Sequence, residues 1–351
     1  MPLQILPLAL LRPLEVLASL CAVIRKSNRI MIPAIFLVAS SLGDMAPAAA
    51  QTCSFSASDV NFGSIDPTSN LTYDSAGALS VSCRGTKNRT VRVCPNIGSG
   101  TGNNNATASE RYLLSGATQL KYNLYQDSGH SNIWGSYVWP YPPTAPVIDL
   151  DLGATGNGAA NATLYGRIFA NQSSSPVGSY SSNFSGNHTL MTYQYLNTLS
   201  PQSCVSIGAT NGIQAAFLVT ATISPTCTIQ ATNLDFGSVA TTTAAIDSST
   251  SISLTCTSGT PYTVSLNGGL TGATDPTKRV MSSASTADIV SYGIYRDTNR
   301  TLPWGNVAGT NTVAGTATGQ TQTLTGYGRV PAQTTPSPFS YSDTVVVTVT
   351  Y

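Results

Sequence analysis

Short runs in which apolar and polar residues alternate recur along this chain, separated by turns rich in Gly, Asn, Ser and Pro. Residues 79–83, 91–94, 122–125, 252–256 and 262–266 are examples. A period of two is that of a β-strand with one face in a core, and no long run with helical spacing interrupts the series. The pattern predicts an all-β protein built as β-sandwiches. The last run, 343–351 (DTVVVTVTY), sets Val345, Val347, Val349 and Tyr351 on one face and Thr344, Val346, Thr348 and Thr350 on the other. A counterpart at 189–195 (TLMTYQY) is followed by a cysteine-bearing loop and a further run, 214–223. That run places Ala215, Phe217, Val219, Ala221 and Ile223 on one face, with Gln214, Thr220 and Thr222 opposite. The second half therefore reads as one strand short of the first. Residues 214–223 either close their own domain or cross into the next, and Pro225 with the short connection to Cys227 favours closure.

The two halves carry the same landmarks in the same order. Cys53 precedes Phe62-Gly63-Ser64 by nine residues, and Cys227 precedes Phe236-Gly237-Ser238 by nine. Cys83 and Cys256 follow at 30 and 29 residues. Tyr122, Tyr125 and Asp127 answer Tyr292, Tyr295 and Asp297. Trp134-Gly135 answers Trp304-Gly305, Tyr165-Gly166-Arg167 answers Tyr327-Gly328-Arg329, and Tyr180-Ser181 answers Tyr341-Ser342. Such order predicts two homologous domains, 51–224 and 225–351.

The N-terminus changes the inventory. Arg25, Lys26 and Arg29 precede an apolar run from Ile30 to Leu42 and then Ala48-Ala49-Ala50, which reads as a secretory signal cleaved after Ala50, so that residues 1–50 are a targeting segment. Of 16 basic and 15 acidic residues in the 351-residue chain, four basic and two acidic fall in that segment. The exported part is then 12 − 13 = −1, a balance without an electrostatic footprint for nucleic acid or anionic membrane. Six cysteines remain. Their repeated spacing makes Cys53–Cys83 and Cys227–Cys256 the economical disulfides and leaves Cys94–Cys204 as an additional bridge in the first domain. A bridge closing about 30 residues is worth roughly 3–4 kcal/mol against the unfolded chain.

The cysteine-to-FG opening, the second cysteine, the Tyr-x-[Leu/Ile]-Tyr-x-Asp segment, the Trp-Gly pair, the Tyr-Gly-Arg strand and the closing Tyr-Ser-Asp-Thr-Val run resemble the spore coat protein U domain, the pilin fold of archaic, Csu-type chaperone–usher pili. The resemblance implies tandem immunoglobulin-like sandwiches in which a missing strand is supplied by a periplasmic chaperone and then by the next pilin subunit. It also implies passage through an outer-membrane usher to the cell surface. The second domain, with nothing after Tyr351, is expected to accept a strand along Val345, Val347, Val349 and Tyr351. Only Gln51 and Thr52 precede Cys53, so no donor segment is expected, and a chain that accepts without donating stands at the pilus tip. The expected role is a tip adhesin in attachment and biofilm formation; a structural coat or matrix protein is the alternative.

Differences between the halves point to where binding sits. From the Trp-Gly to the Tyr-Gly pair the first half spans 165 − 134 = 31 residues and the second 327 − 304 = 23. The extra length holds Tyr137, Val138, Trp139, Pro140, Tyr141, Pro142 and Pro143, an aromatic loop stiffened by prolines and suited to an abiotic or host surface. The competing reading is that these aromatics fold back as a cover for the core. Residues 96–110 read as a solvated, flexible loop, and 196–212 as a loop pinned by Cys204. His130 and His188 read as surface polar residues, Asp149 and Asp151 as a solvated pair, and Arg167 and Arg329 as scaffold. No cofactor, metal site or catalytic constellation is expected.

Overall fold

The computed structural model describes residues 51–105, 109–138, 144–196, 202–209 and 212–351; the expected targeting segment, 1–50, lies outside them. The first part of the chain forms β1 (Thr52–Ala57), β2 (Val60–Ile65), β3 (Tyr73–Arg84), β4 (Thr90–Pro95), β5 (Arg111–Ser115), β6 (Thr118–Tyr125), β7 (Ile148–Asp151), β8 (Asn157–Ile168), β9 (Gly178–Phe184), β10 (Leu190–Tyr195), the one-turn helix α1 (Cys204–Ile207), β11 (Ile213–Gln214) and β12 (Phe217–Ile223). The second part forms β13 (Cys227–Ala231), β14 (Ile246–Cys256), β15 (Pro261–Leu266), β16 (Arg279–Ser283), β17 (Thr286–Tyr295), β18 (Val313–Thr316), β19 (Gln322–Val330) and β20 (Val347–Thr350). The protein is all-β, as the alternation predicts.

Two sheets face each other in each part. The first pair has orders β1-β3-β8-β6-β5-β9-β12-β2 and β11-β10-β4-β7; the second has β13-β14-β19-β17-β16 and β18-β15-β20. Among the described residues every strand up to Ile223 pairs only with others up to Ile223, and every strand from Cys227 only with others beyond it. Alternation explains the layering. In β3, Gly77, Leu79, Val81 and Cys83 are buried while Ala78, Ser80, Ser82 and Arg84 are exposed. The repeated cysteines stand directly opposite one another across the β1–β3 and β13–β14 ladders, and all three expected disulfides are present.

Each sandwich is built around a buried tryptophan and a buried arginine. Trp134 Nε1 donates to the Pro95 carbonyl at 2.7 Å, and Trp304 Nε1 to that of Val264 at 3.1 Å. Arg111, fully buried, donates to the carbonyls of Gly98 (2.8 Å), Ile97 (3.0 Å) and Trp134 (2.6 Å) and to Asn123 Oδ1. Arg279 repeats the arrangement on the carbonyls of Asn267 (2.8 Å), Pro276 (2.7 Å), Leu266 (3.3 Å) and Trp304 (2.8 Å). The guanidinium fork replaces its lost hydration with carbonyl oxygens that the loops leave unpaired. On the outer faces Arg167 grips Asp74 and Arg329 grips Asp247 bidentately, each pair directly opposed on neighbouring strands. These two arginines are scaffold in both halves.

The halves touch through a short joint. Val177 N donates to the Ser258 carbonyl at 3.0 Å, and Gln320 Nε2 to Ser173 Oγ at 2.6 Å. The β14–β15 turn of the second sandwich thus faces the linker end of the first.

Arg111→Leu should leave several carbonyls buried without a donor and destabilise the first sandwich by about 3 kcal/mol or more. Arg111→Lys should recover only part of that loss, because an ammonium lacks the fork. Urea unfolding of the two variants measures both effects.

Candidate functional site

The last strand of the first sandwich, β12, holds a position that no strand of the second fills among the described residues. Strand β12 stands between β9 and β2, antiparallel to β9 (Phe217↔Phe184, Val219↔Ser182, Ala221↔Tyr180) and parallel to β2 (Val219↔Val60, Ile223↔Ile65). Ala215, Phe217, Val219, Ala221 and Ile223 are all buried. Residues 214–223 therefore close their own sandwich. The run is broken in two, with β11 pairing on β10 of one sheet and β12 on β9 of the other.

In the second sandwich the landmark register matches β2 with 234–239 and β9 with 341–345. Among the described residues no strand lies between these segments. A groove of about 630 Å³ occupies the place, lined by Leu234, Phe236, Met281, Tyr292, Tyr341 and Val345 among others. Burial follows the vacancy position by position. Ile65 is 3% exposed, whereas its counterpart Val239 is 51% exposed. Val60, Phe62, Leu113 and Tyr180 are buried, whereas Leu234, Phe236, Met281 and Tyr341 are half-buried. One polar group is fixed in the groove: Tyr292 Oη donates to Asp343 Oδ2 at 2.6 Å, and Asp343 Oδ1 accepts from the Leu270 and Thr344 amides at 2.8 Å each. Burial first, then the Asp343 carboxylate, pushes the Tyr292 hydroxyl far above its ordinary pKa, so it stays a donor at any physiological pH.

Of the expected acceptor residues, Val345, Val347 and Val349 point half-buried into the second core, with Thr344, Val346, Thr348 and Thr350 outward. Strand β20 pairs on one side with β15 (Leu266↔Val347, Val264↔Val349) and forms the edge of its sheet. Tyr351 lies past the last cross-strand pair, Thr263↔Thr350, and is 56% exposed. The regular ladder also covers only Val347–Thr350 of the run 343–351.

The aromatic loop of the first sandwich is only partly within the described residues; Trp139, Pro140, Tyr141, Pro142 and Pro143 lie outside them. Tyr137 is half-buried against Cys94, Cys204 and Ile207, so this one ring acts as a cover, and Val138 beside it is half-exposed. The Tyr137 amide donates to Asn96 Oδ1 at 2.7 Å. Asn96, fully buried, donates in turn to the carbonyls of Cys94 and Leu190 at 3.0 Å each. The Cys94–Cys204 bridge holds α1 on the end of β4, and Arg92 Nη1 reaches the Gln202 carbonyl at 2.8 Å. The tyrosine loop and the Cys204 loop are thereby brought together.

Other expectations need correction. The stretch from Asn96 to Gly100 is buried, not solvated. Ile97 enters the core, and the Gly98 and Thr101 amides donate to the carbonyls of His188 and Asn183 at 2.9 Å each. At Gly102 a Cβ would come within 1.6 Å of the Tyr112 carbonyl oxygen, so the glycines are there for close approach. Only the apolar Ile97, two residues after Pro95, signals this in sequence. His130 is not a surface residue: its ring packs edge-on against Tyr125 at 5.1 Å and Tyr165 at 6.3 Å, 3.7 Å from Asp74. His188 is half-buried, its Nδ1 accepting from the Gly100 amide at 3.2 Å, and burial lowers its pKa, aided by the Arg111 charge. Asp149 and Asp151 are exposed, as expected, and each has a neighbour on β4, Arg92 for Asp149 and the Thr90 hydroxyl for Asp151. Among the described residues no three His, Cys, Asp or Glu side chains converge to hold a metal.

Comparisons with known proteins cover both halves. The Spore Coat Protein U domain matches residues 39–186 and 213–348. Protein U of Myxococcus xanthus is 36% identical over 106 residues, which are 29% of this chain; the chain spans 58% of the length of that relative. Among solved structures, the CsuC–CsuE chaperone–tip adhesion subunit pre-assembly complex from archaic chaperone–usher Csu pili of Acinetobacter baumannii aligns over 86% of this chain and all of that one (18% identity, TM-score 0.47). The CupB6 tip adhesin from Pseudomonas aeruginosa aligns over 85% and 93% (13% identity, TM-score 0.40). With its profile matched in both sandwiches, over most of the sequence, the chain belongs to the Spore Coat Protein U domain family.

Proposed function

We propose that this protein is a non-catalytic adhesin carried at the tip of a chaperone–usher pilus, anchored through the second sandwich and adhesive through the first. The observation that carries the reading is the groove: one sandwich is closed by its own β12, and its homologue leaves the same position open, with apolar residues exposed along it. A periplasmic chaperone fills the groove during export, an outer-membrane usher passes the chain outward, and the next subunit supplies the permanent strand at the cell surface. The first sandwich, complete in itself, is free to carry the contact surface at residues 137–143. Domain limits of 51–224 and 225–351 follow, with the joint in the Ile223–Cys227 connection. The family's spore-coat description supports a second reading, a coat or matrix protein, in which the groove pairs the chain with other coat subunits.

The occupant of the groove is a strand with the alternation of β12, running antiparallel to 341–345 and parallel to 234–239. Burying side chains of the size of Phe217, Val219 and Ile223 gives roughly 1.5–3 kcal/mol each before ordering costs. A donor copied from Ala215–Ile223 and appended after Tyr351 should raise the melting temperature of the second sandwich by about 10 °C or more, the shift that ~2–3 kcal/mol produces in a domain of this size. An unchanged melting temperature with a correctly registered donor would show that the second sandwich is already closed.

Replacing 137–143 by a Gly-Ser turn should abolish attachment to plastic while pili still assemble. Attachment at the wild-type level would remove this loop as the contact surface, and failure of assembly in the same strain would be seen separately by counting pili.

A further inference from the structure

The near-neutral net charge of the exported part conceals an uneven distribution. Residues 51–351 contain 16 − 4 = 12 basic side chains. Six lie within 4 Å of a carboxylate, Arg111 and Arg279 are buried, and Arg296 is half-buried, donating to the carbonyls of Thr312 and Thr310. The remaining three, Arg84, Lys87 and Arg89, are exposed and have no ionic partner among the described residues. All stand within six residues, at the end of β3 and in its connection to β4. The acids nearest in the ladder, Asp149 and Asp151, are already held by Arg92 and Thr90.

That connection is rigid and sits at the free end of the sandwich. Gly85 N donates to the Gly156 carbonyl at 2.9 Å, Asn88 N to Gly153 at 2.7 Å, and Leu152 N returns to Arg89 at 3.0 Å. Thr86 N donates to Tyr195 Oη at 2.6 Å, and the Arg89 guanidinium lies 5.2 Å from the centre of the Tyr195 ring. Arg84 Nε is oriented by Asn157 Oδ1 at 3.2 Å. Strand β3 starts at Tyr73, whose hydroxyl bonds Asp66 beside the end of β2 that pairs with Ile223, and Arg84 is eleven residues further along. At ~3.3 Å per residue the turn is about 36 Å from the linker end. The corresponding turn of the second sandwich, 257–260, is uncharged and is spent on the joint with Val177.

We propose that the 84–89 turn between the two sheets is a binding surface for an anionic polysaccharide, one bearing carboxylate or sulfate groups. Three cations on a fixed backbone match a repeating anion at low ordering cost, and Thr86, Asn88, Thr155 and Asn157 supply amides and hydroxyls for the sugar. Residues 84–90 include no apolar side chain to enter a bilayer, which favours a polysaccharide over a lipid surface. The proposal stands apart from the pilus reading: it concerns the purified chain and needs neither the groove nor the 137–143 loop.

The test is retention of the full exported chain on immobilised heparin (sulfate) and polygalacturonate (carboxylate), with dextran as neutral control and phosphatidylglycerol vesicles as the lipid arm. The wild type should bind one or both polyanions, ignore dextran, and lose more than about tenfold in affinity between ~50 and ~200 mM NaCl. Arg84→Gln/Lys87→Gln/Arg89→Gln should lose at least tenfold with an unchanged melting curve. The double variant Arg84→Gln/Lys87→Gln, which keeps the Arg89–Tyr195 stacking, should fall between. Equal retention of wild type and triple variant, binding that ignores salt, or binding to the vesicles with neither polysaccharide would overturn the proposal.

Discussion

A β-sandwich must cover both its core and its strand edges, because exposed apolar side chains and unpaired backbone groups each cost free energy and invite other chains. The first sandwich meets this requirement with β12, which joins β9 to β2 and buries Phe217, Val219, Ala221 and Ile223. The second repeats the disulfide across its first ladder, the tryptophan under its sheet, the arginine on its carbonyls and the Arg–Asp clasp outside. What differs is the β12 position and its surroundings: among the described residues no strand fills it, the flanking segments 234–239 and 341–345 form no regular strand, and Leu234, Phe236, Met281 and Val239 are less buried than their counterparts. Because the homologous sandwich is present in the same chain, the comparison is internally controlled.

This single vacancy organises the rest. It gives the second sandwich a reason to bind an extended strand, and it leaves the first free for contacts of its own. The joint between them, fixed by the Val177–Ser258 hydrogen bond and the Gln320–Ser173 contact, uses the turn whose counterpart in the first sandwich is the basic 84–89 connection. The same element thus serves as a socket in one copy and as an outward surface in the other. Stacked in one direction, the two sandwiches give the exported chain a polarity.

Much of this was legible from sequence because it depends on local periodicity and on repetition. The alternation in 79–83, 214–223 and 343–351 reports strand faces directly, and the matched cysteine spacings yield the disulfides. Long-range arrangements were less accessible. Arg111 and Arg279 carry no signal of burial, since a guanidinium becomes a core residue only once loop carbonyls converge on it. The Gly- and Asn-rich stretch after Cys94 has the composition of a solvated loop, yet Ile97 and the close approach at Gly102 draw it inside. Tyr351 continues the valine pattern but lies past the last cross-strand pair and is exposed. Net charge, summed over the chain, hid three cations in one turn without an ionic partner among the described residues.

Amide hydrogen exchange on the free chain, read segment by segment, tests the vacancy most directly, because each segment of the second sandwich has a homologous reference in the first. The account predicts that 234–239 and 341–346 exchange much faster than 60–65 and 178–184, and that a bound strand slows the first two segments alone. Equal protection of the paired segments in the free chain would contradict it.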